Sequence, residues 1–440
     1  MSFITDKQTL EDLGLMGKYR QHSIYTLFNQ VKTAGGERLL REMFHHPLSN
    51  AAAINERSSV FRYFQENAVP FPLEQEAFNL VESYLSNSTG SNILSCTTNL
   101  LRKKLMALLV HDEQYSQFLK ALQATIRAVH SLYAFTDKLD IPQLSAVKNI
   151  LSDPRLSSIA TGDEANNLTL LKAAGYDHLL RNTMQQDMEL LLEKIYELDV
   201  YIAVGAIARK HQFSYAIALP ASQQVFSAPA LRHPGLPAAV PNVLHMDAKQ
   251  NLLFLTGANM AGKSTFMKSV GITLYLAHMG FPVAAGDMRF SVRDGIYTSI
   301  NVPDSLDMGY SHFYAEVLRV KKVAKEVAAG RNMVVIFDEL FKGTNVKDAY
   351  DATLAVTAAF SRYRNCLFII STHIIEAGEA LQQSCFNIRF AKLPTIMNGN
   401  VPSYTYTLTE GITSDRHGMT IIENEKIIDL LHMQPSQTAL

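Results

Sequence analysis

Three things are scarce in this chain: an excess of charge of one sign, clustered cysteine, and long apolar runs. Forty Lys and Arg against 41 Asp and Glu leave a formal net charge of −1, so no global basic field announces a nucleic-acid partner, although a local patch is compatible with that balance. Cys96, Cys366 and Cys385 are widely scattered and show no metal-ligand spacing, a usage that suits a reducing cytoplasm. No stretch reaches about 18 uninterrupted apolar residues, which argues against a membrane span. The opening MSFITDKQTLEDLG carries acids and no long apolar core, so a secretory leader is not expected. What is present is ordinary for an ordered globular protein: 47% hydrophobic and 18% charged residues over 440 positions. That length exceeds one core, and two or three domains are expected.

The most informative stretch is Asn251 to Gly271, NLLFLTGANMAGKSTFMKSVG. Leu252 to Leu255 is a wholly apolar run of the kind a strand buried on both faces shows. Gly257 to Ser264 then spells G-x-x-x-x-G-K-S and leads into a helical pattern, the arrangement of a phosphate-cradling loop. Gly257 and Gly262 let backbone N–H groups turn inward, and the helix start adds partial positive charge where anionic oxygen sits. Lys263 would reach the β- and γ-phosphates, and the Ser264 hydroxyl, followed by Thr265, would ligate Mg²⁺. The cofactors this implies are ATP and Mg²⁺.

Three further elements join it. Met333 to Phe337 is an apolar strand ending in Asp338 and Glu339, which assigns Asp338 to the metal and Glu339 to the base that orients and deprotonates the attacking water. Ser371-Thr372-His373 closes another apolar strand. His373 could lie beside the γ-phosphate as a sensor, while local pattern alone favours a capping Thr and a surface His. Gly309-Tyr310-Ser311 precedes a helical run, where Ser311 reads as an N-cap or as a phosphate contact.

The chain divides in two by pattern. Residues 1–215 read as almost entirely helical, with apolar periodicity through Tyr25 to His45 around a Gly35-Gly36 break, then Phe78 to Tyr84, Ile93 to Val110 and Tyr115 to Phe135. Asn55 reads as a cap for the helix carrying Val60, Phe61 and Phe64. A long amphipathic helix runs from about Asn166 to Lys210, broken near Gly175, with the stripe Met188, Leu191, Leu192, Ile195, Leu198 and Ile202. Five prolines between Leu219 and Pro241 predict irregular or edge-strand backbone. From 216 to 440 strands and helices alternate, which predicts an open, mostly parallel sheet with helices on both faces. Phe386 to Lys392 and Ser403 to Leu408 read as a hairpin.

With these elements in hand, the sequence resembles the MutS family of DNA mismatch-repair ATPases. The resemblance is carried by TGANMAGKST at Thr256 to Thr265, with the distinctive Asn259-Met260 pair, by DSLDMGYSHF at Asp304 to Phe313, by DELFKGT at Asp338 to Thr344, and by STH at Ser371 to His373. Gly411 to Gly418 is similar to the closing motif, with Arg416 where a serine is usual. Upstream, YTLFNQV at Tyr25 to Val31, Leu198-Asp199, and Arg232-His233-Pro234 are similar to further landmarks.

The resemblance implies an ABC-type P-loop ATPase domain over 216–440, preceded by an all-helical core and lever over 1–215. It implies composite ATP sites in a homodimer, Ser311 of one subunit reaching the γ-phosphate held by Asn259, Lys263 and Ser264 of the other, and it implies DNA, and other repair proteins, as partners. The core-like pattern begins within about 25 residues, so the family's mismatch-reading domain and connector are not expected here, and the span from about Asp140 to Ala165 looks too short for its DNA clamp. The Phe64-Gln65-Glu66 triplet is expected to pack in a core rather than to read DNA. An aromatic platform for adenine is likewise not expected near Ala238 to Val240. The rival reading is an ATP-switched interaction protein without direct DNA contact.

Overall fold

The computed structural model describes residues 3–17, 23–86, 92–110, 113–139, 141–161, 165, 168–300, 312–398, 401–413, 426 and 430. Ser311, most of the Asp304 to Phe313 motif and residues 414–418 of the closing motif lie outside them. The described chain is helical first and then carries a mixed sheet. Two compact units are interleaved in sequence: one takes 1–27, 44–58 and 210–440, the other 28–43 and 59–209. No single cut at residue 215 separates them.

The helical unit is built from segments of α1 (Ala34–His45) and α2 (Ala51–Glu66), followed by α3 (Gln75–Ser86), α4 (Ile93–Val110), α5 (Gln114–Asp137), α6 (Leu170–His178) and α7 (Gln185–Lys210). Their apolar faces close one cluster that includes Phe78, Leu122, Ile126, Leu156, Met188 and Leu191. The long helix is interrupted, as its pattern predicts, but by a π-turn at Leu179–Thr183 rather than at Gly175. Its last section, α7, is about 39 Å long.

Gly35 and Gly36 do not break a helix. They form the first turn of α1, because a Cβ on Gly35 would lie 2.3 Å from the Tyr196 ring and one on Gly36 would lie 2.7 Å from the Asp199 carboxylate. Phe64 is buried and stacks on Tyr201, which fits packing. Asn55 is no cap. It sits inside α2, capped by Asn50, and its amide holds both the N–H and the carbonyl of Ala218 at 2.9 Å.

The other unit is organised by a six-stranded sheet of β1 (Leu252–Gly257), β2 (Gly295–Ser299), β3 (Met333–Phe337), β4 (Leu367–Ser371), β5 (Ile388–Leu393) and β6 (Thr409–Glu410), in the order β6-β5-β1-β4-β3-β2. Every pairing is parallel except that of the short edge strand β6. The apolar runs of β1, β3 and β4 are buried along their whole length, as strands covered on both faces must be. The helices of this unit include α8 (Lys263–His278), buried on nearly every side, α9 (His312–Ala328), α10 (Val346–Ser361) and α11 (Ile375–Ser384).

The N-terminal segment covers the β2 edge. Ile4 bridges Gly295, Thr9 accepts from the Thr298 N–H, and the Asp12 carboxylate takes the Thr298 hydroxyl and the Ile300 N–H. A covered edge cannot pair with another chain.

Two expectations change here. Ile388–Leu393 does not enter a hairpin with Ser403 to Leu408; it joins the central sheet beside β1, and the hairpin forms between Thr395–Asn398 and Val401–Tyr404. The proline-rich stretch does contain a strand, Phe226–Leu231, and it is internal to a second, four-stranded sheet. Pro229 is tolerated because register shifts between Ala228 and Leu231, where Ala230 is left-handed at φ 51°.

Candidate active site

Parallel register brings the polar ends of three strands together. Ser371 of β4 lies opposite Leu255 of β1, and Ile370 opposite Phe337 of β3, so the residues just past β1, β3 and β4 share one edge of the sheet. This carboxyl edge is where open α/β sheets bind ligands.

From β1 the chain enters a tight loop. Gly257, Met260 and Gly262 have φ of 147°, 67° and 97°, and Gly262 is the left-handed residue from which α8 starts. Glycine serves at the first and last of these; Met260 holds the left-handed conformation at a cost of about 1 kcal/mol. Asn259 and Met260 are exposed, and Lys263 is buried. Its ammonium donates to the Gly257 and Ala258 carbonyls at 2.8 and 3.1 Å. Burial pushes its pKa below the usual lysine range, while Asp338 and Glu339 pull the other way.

At the next residue, the exposed Ser264 hydroxyl donates to Asp338 Oδ2 at 2.5 Å, and the Ser371 hydroxyl donates to Asp338 Oδ1. Asp338 is thus clamped between the first turn of α8 and the end of β4. Its neighbour Glu339 is left-handed at φ 54°, its N–H held by the Ser371 carbonyl at 3.1 Å, and Phe341 follows at φ 61°. Non-glycine residues in this region concentrate at functional sites.

The turn aims Glu339 at His373, whose Nε2 donates to Oε1 at 2.7 Å, while Lys342 lies 3.5 Å from Oε2. The His373 hydrogen bond is the main reason the Glu339 carboxyl is held down to about 2, with partial burial opposing it. His373 is therefore joined to the base candidate and is no stray surface side chain.

Beside the loop lies a cavity of about 600 Å³, bordered by Asn259, Gly262, Lys263, Ser264, Thr265 and Glu339. Asp338 and His373 stand behind that lining and reach it through Ser264 and Glu339. The far wall is apolar, with Leu236, Pro237, Ala238, Ala239 and Val240, and it ends at His233 and Tyr406. Tyr406 supplies the aromatic side chain that the Ala238 to Val240 neighbourhood lacks. It is left-handed at φ 54°, its carbonyl accepts from Asn242 Nδ2 at 3.0 Å, and Leu408 N–H returns to Asn242 Oδ1 at 2.6 Å. Sequence reasoning missed Tyr406, Asn242 and the Ser371 hydroxyl. Tyr406 is far along the chain from the phosphate-loop motif, Asn242 lies outside any local motif, and Ser371 was legible only as a neighbour of His373.

No group of three or more His, Cys, Asp or Glu side chains arranged to hold a metal ion occurs among the described residues. Mg²⁺ requires no such cluster, because it keeps several waters and takes one or two protein oxygens beside phosphate. Ser264 Oγ on the cavity wall and Asp338 Oδ2, hydrogen-bonded to it from behind, are hard oxygen donors and suit it. No helix among the described residues is long and apolar enough to cross a membrane.

Comparison with known proteins adds the lineage. A family model described as MutS domain III matches residues 8–205, and one described as MutS domain V matches residues 253–431. The DNA mismatch repair protein MutS of Petrotoga mobilis is 30% identical over 207 residues, covering 46% of this chain and 25% of the relative. That of Thermus thermophilus is 34% identical over 203 residues, 45% of this chain and 24% of the relative, and that of a Geobacillus species is 27% identical over 247 residues, 54% and 28%. The chain thus spans about a quarter of the length of these relatives. Two domain models of one family match in succession, over the helical part and over the part that carries the sheet, and the chain belongs to the MutS family.

Proposed function

We propose that this protein is a Mg²⁺-dependent ATPase whose homodimer couples hydrolysis to conformational change on DNA, in mismatch repair or recombination. In this reading residues 216–440 are an ABC-type P-loop engine, and the preceding helices are its core and lever. The observation that carries it is the convergence, on the carboxyl edge of one sheet, of Lys263, Ser264, Asp338, Glu339 and His373 around a cavity of nucleotide size.

The loop N–H groups from Gly257 to Thr265 and the start of α8 would cradle the phosphates. Lys263 would give up the Gly257 and Ala258 carbonyls for β- and γ-phosphate oxygens, and the phosphate charge would repair the desolvation that now depresses its pKa. Ser264 and Asp338 would hold Mg²⁺, which would neutralise charge on the phosphates. Tyr406 would face the base.

Glu339 would take the proton of the attacking water. At about 2 its pKa is low for a base near neutral pH, and the His373 hydrogen bond sets that value. If His373 turns to the γ-phosphate, Glu339 loses that donor and gains a nearby negative charge, and both changes raise its pKa. Ser311 would complete the site from the partner subunit.

The test is to mix Lys263→Ala and Ser311→Ala proteins. Each parent is expected to be inactive, and statistical subunit exchange regenerates one intact site per heterodimer, restoring about a quarter of wild-type turnover. A mixture no more active than its parents removes the shared site. The near-zero net charge supports the rival, an ATP-switched interaction protein. Binding to duplex, mismatched and branched DNA across salt concentrations separates the two, because phosphate contacts give a salt slope and their absence gives none.

A further inference from the structure

The helix α4 is anchored weakly for its length and carries a second pattern that its own unit leaves unused. Cys96 and Leu100 are its buried residues among those with described side chains, and it packs against α6 and α5 through that side. On the opposite side, Leu94, Thr98, Leu101, Leu105 and Leu108 follow spacings of four, three, four and three residues. The four leucines are 56–73% exposed, and Leu109 beside them is 70% exposed. A 4-3-4-3 apolar repeat is the seam of a coiled coil, and an amphipathic helix docks its apolar face on such a stripe.

Charge decides which helix fits. With Thr98 and Leu105 at the a positions and Leu94, Leu101 and Leu108 at d, Arg102 falls at e and Lys104 at g, one on each side of the seam. Both are exposed, and neither has an ion-pair partner among the described residues. Lys103 is turned away, its ammonium 5.3 Å from the Phe118 ring centroid. No acid occurs from Ile93 to Val110. A second copy of α4 on this seam would set like charges against like in either orientation, because the flanking cations have no carboxylate to meet.

We propose that the Leu94 to Leu108 face of α4 is a docking seam for an amphipathic helix of another protein that carries apolar a and d residues flanked by Asp or Glu. Electrostatic complementarity at e and g selects the partner, and the leucine stripe supplies the buried surface. This inference is independent of nucleotide chemistry.

The experiment titrates the full chain against two labelled three-heptad peptides with Leu at a and d, one with Glu and one with Lys at e and g, read by fluorescence anisotropy. The Glu peptide is expected to bind at least about tenfold more tightly. Arg102→Glu with Lys104→Glu is expected to reverse that preference, and Leu101→Asp with Leu105→Asp to abolish binding of both. All four side chains are exposed, and the charge swap leaves the leucines intact, so a reversal cannot come from misfolding.

Equal binding of the two peptides, or none, overturns the proposal. So does tighter binding of the seam to phosphatidylserine vesicles or duplex DNA, lost in Leu101→Asp/Leu105→Asp, which would make the basic flank an anion surface. Sedimentation showing a dimer of the wild type that the same double variant splits would instead assign the seam to a second copy.

Discussion

Each compact unit holds an aspartate through hydroxyl donors, joined at Asp199 by backbone N–H groups, and the two are built to opposite ends. Asp199 on α7 is 2% exposed and accepts the Lys32 and Thr33 N–H groups and the Thr33 hydroxyl, at 2.7–3.1 Å. Thr33 in turn caps α1 through the Gly36 N–H at 2.9 Å. Burial raises the Asp199 pKa, the Thr33 and Lys32 donors oppose it, and the side chain is shut off from solvent. Asp338 takes two hydroxyls, from Ser264 and Ser371, but Ser264 is exposed and opens on the cavity. The first cluster is closed and fixes a helix end. The second is open, and its hydrogen bonds can be exchanged for a bound group.

The sharpest way to break this contrast is at Glu339, in the open cluster. Glu339→Gln keeps the size of the side chain and a hydrogen bond to His373 but removes the base, and turnover is expected to fall by roughly 10²–10⁴-fold while nucleotide binding and melting temperature hold. Single-turnover ATP hydrolysis and a nucleotide titration check it. A variant of undiminished turnover would leave Glu339 as a structural partner of His373, and the open cluster without a base.

The closed cluster predicts the reverse. Asp199→Ala strands the Lys32 and Thr33 donors in a buried place, which costs about 1–3 kcal/mol per group. Thermal unfolding followed by circular dichroism should shift down by several degrees, with turnover per folded molecule unchanged. Loss of turnover beyond the loss of folded protein would mean that Asp199 also communicates with the site.

How much of this was legible depended on how far apart in sequence the partners are. Gly257 to Thr265, Met333 to Glu339 and Leu367 to His373 are strand-and-loop words whose meaning is local, and each was readable. That Ser371 stands beside Asp338 required the order β1-β4-β3 and the register Ile370 against Phe337, which no local pattern contains. Tyr406 was invisible because its placement depends on Asn242, 164 residues away. Gly35 and Gly36 were misread because a glycine pair looks like a break until the Tyr196 ring and the Asp199 carboxylate are seen against it. The run Phe386 to Lys392 looks like a hairpin arm because a strand's partner is not written in the strand. Helical periodicity gave the elements of the first half but not the interleaving of segments 1–27 and 44–58 with the sheet.

A third polar group tests whether closure, rather than location, is what separates the two aspartates. His278 lies in the same unit as Asp338 but is closed like Asp199. Its Nδ1–H donates to the Leu48 carbonyl at 2.9 Å and its Nε2 accepts the Arg293 N–H at 3.3 Å, which fixes a neutral ring between Phe3 and Phe290. Burial holds its pKa down to about 4, and the Arg293 charge works in the same direction. Between about 4 and the unfolded value near 6.5 the unfolded chain binds a proton that the folded chain refuses. Stability is therefore full above about 6.5 and is lost as pH falls through that window, by roughly 3 kcal/mol at most. Glu339, depressed from 4.5 to about 2, contributes its stability in full above about 4.5 and loses it only as pH falls below that value, so the two windows overlap only between about 4 and 4.5. Melting temperature measured from pH 7 to about 4.5 should fall for the wild type and flatten in His278→Gln, which cannot take up the proton. An unchanged slope in that variant would move the acid sensitivity to another group and leave His278 a packing residue alone.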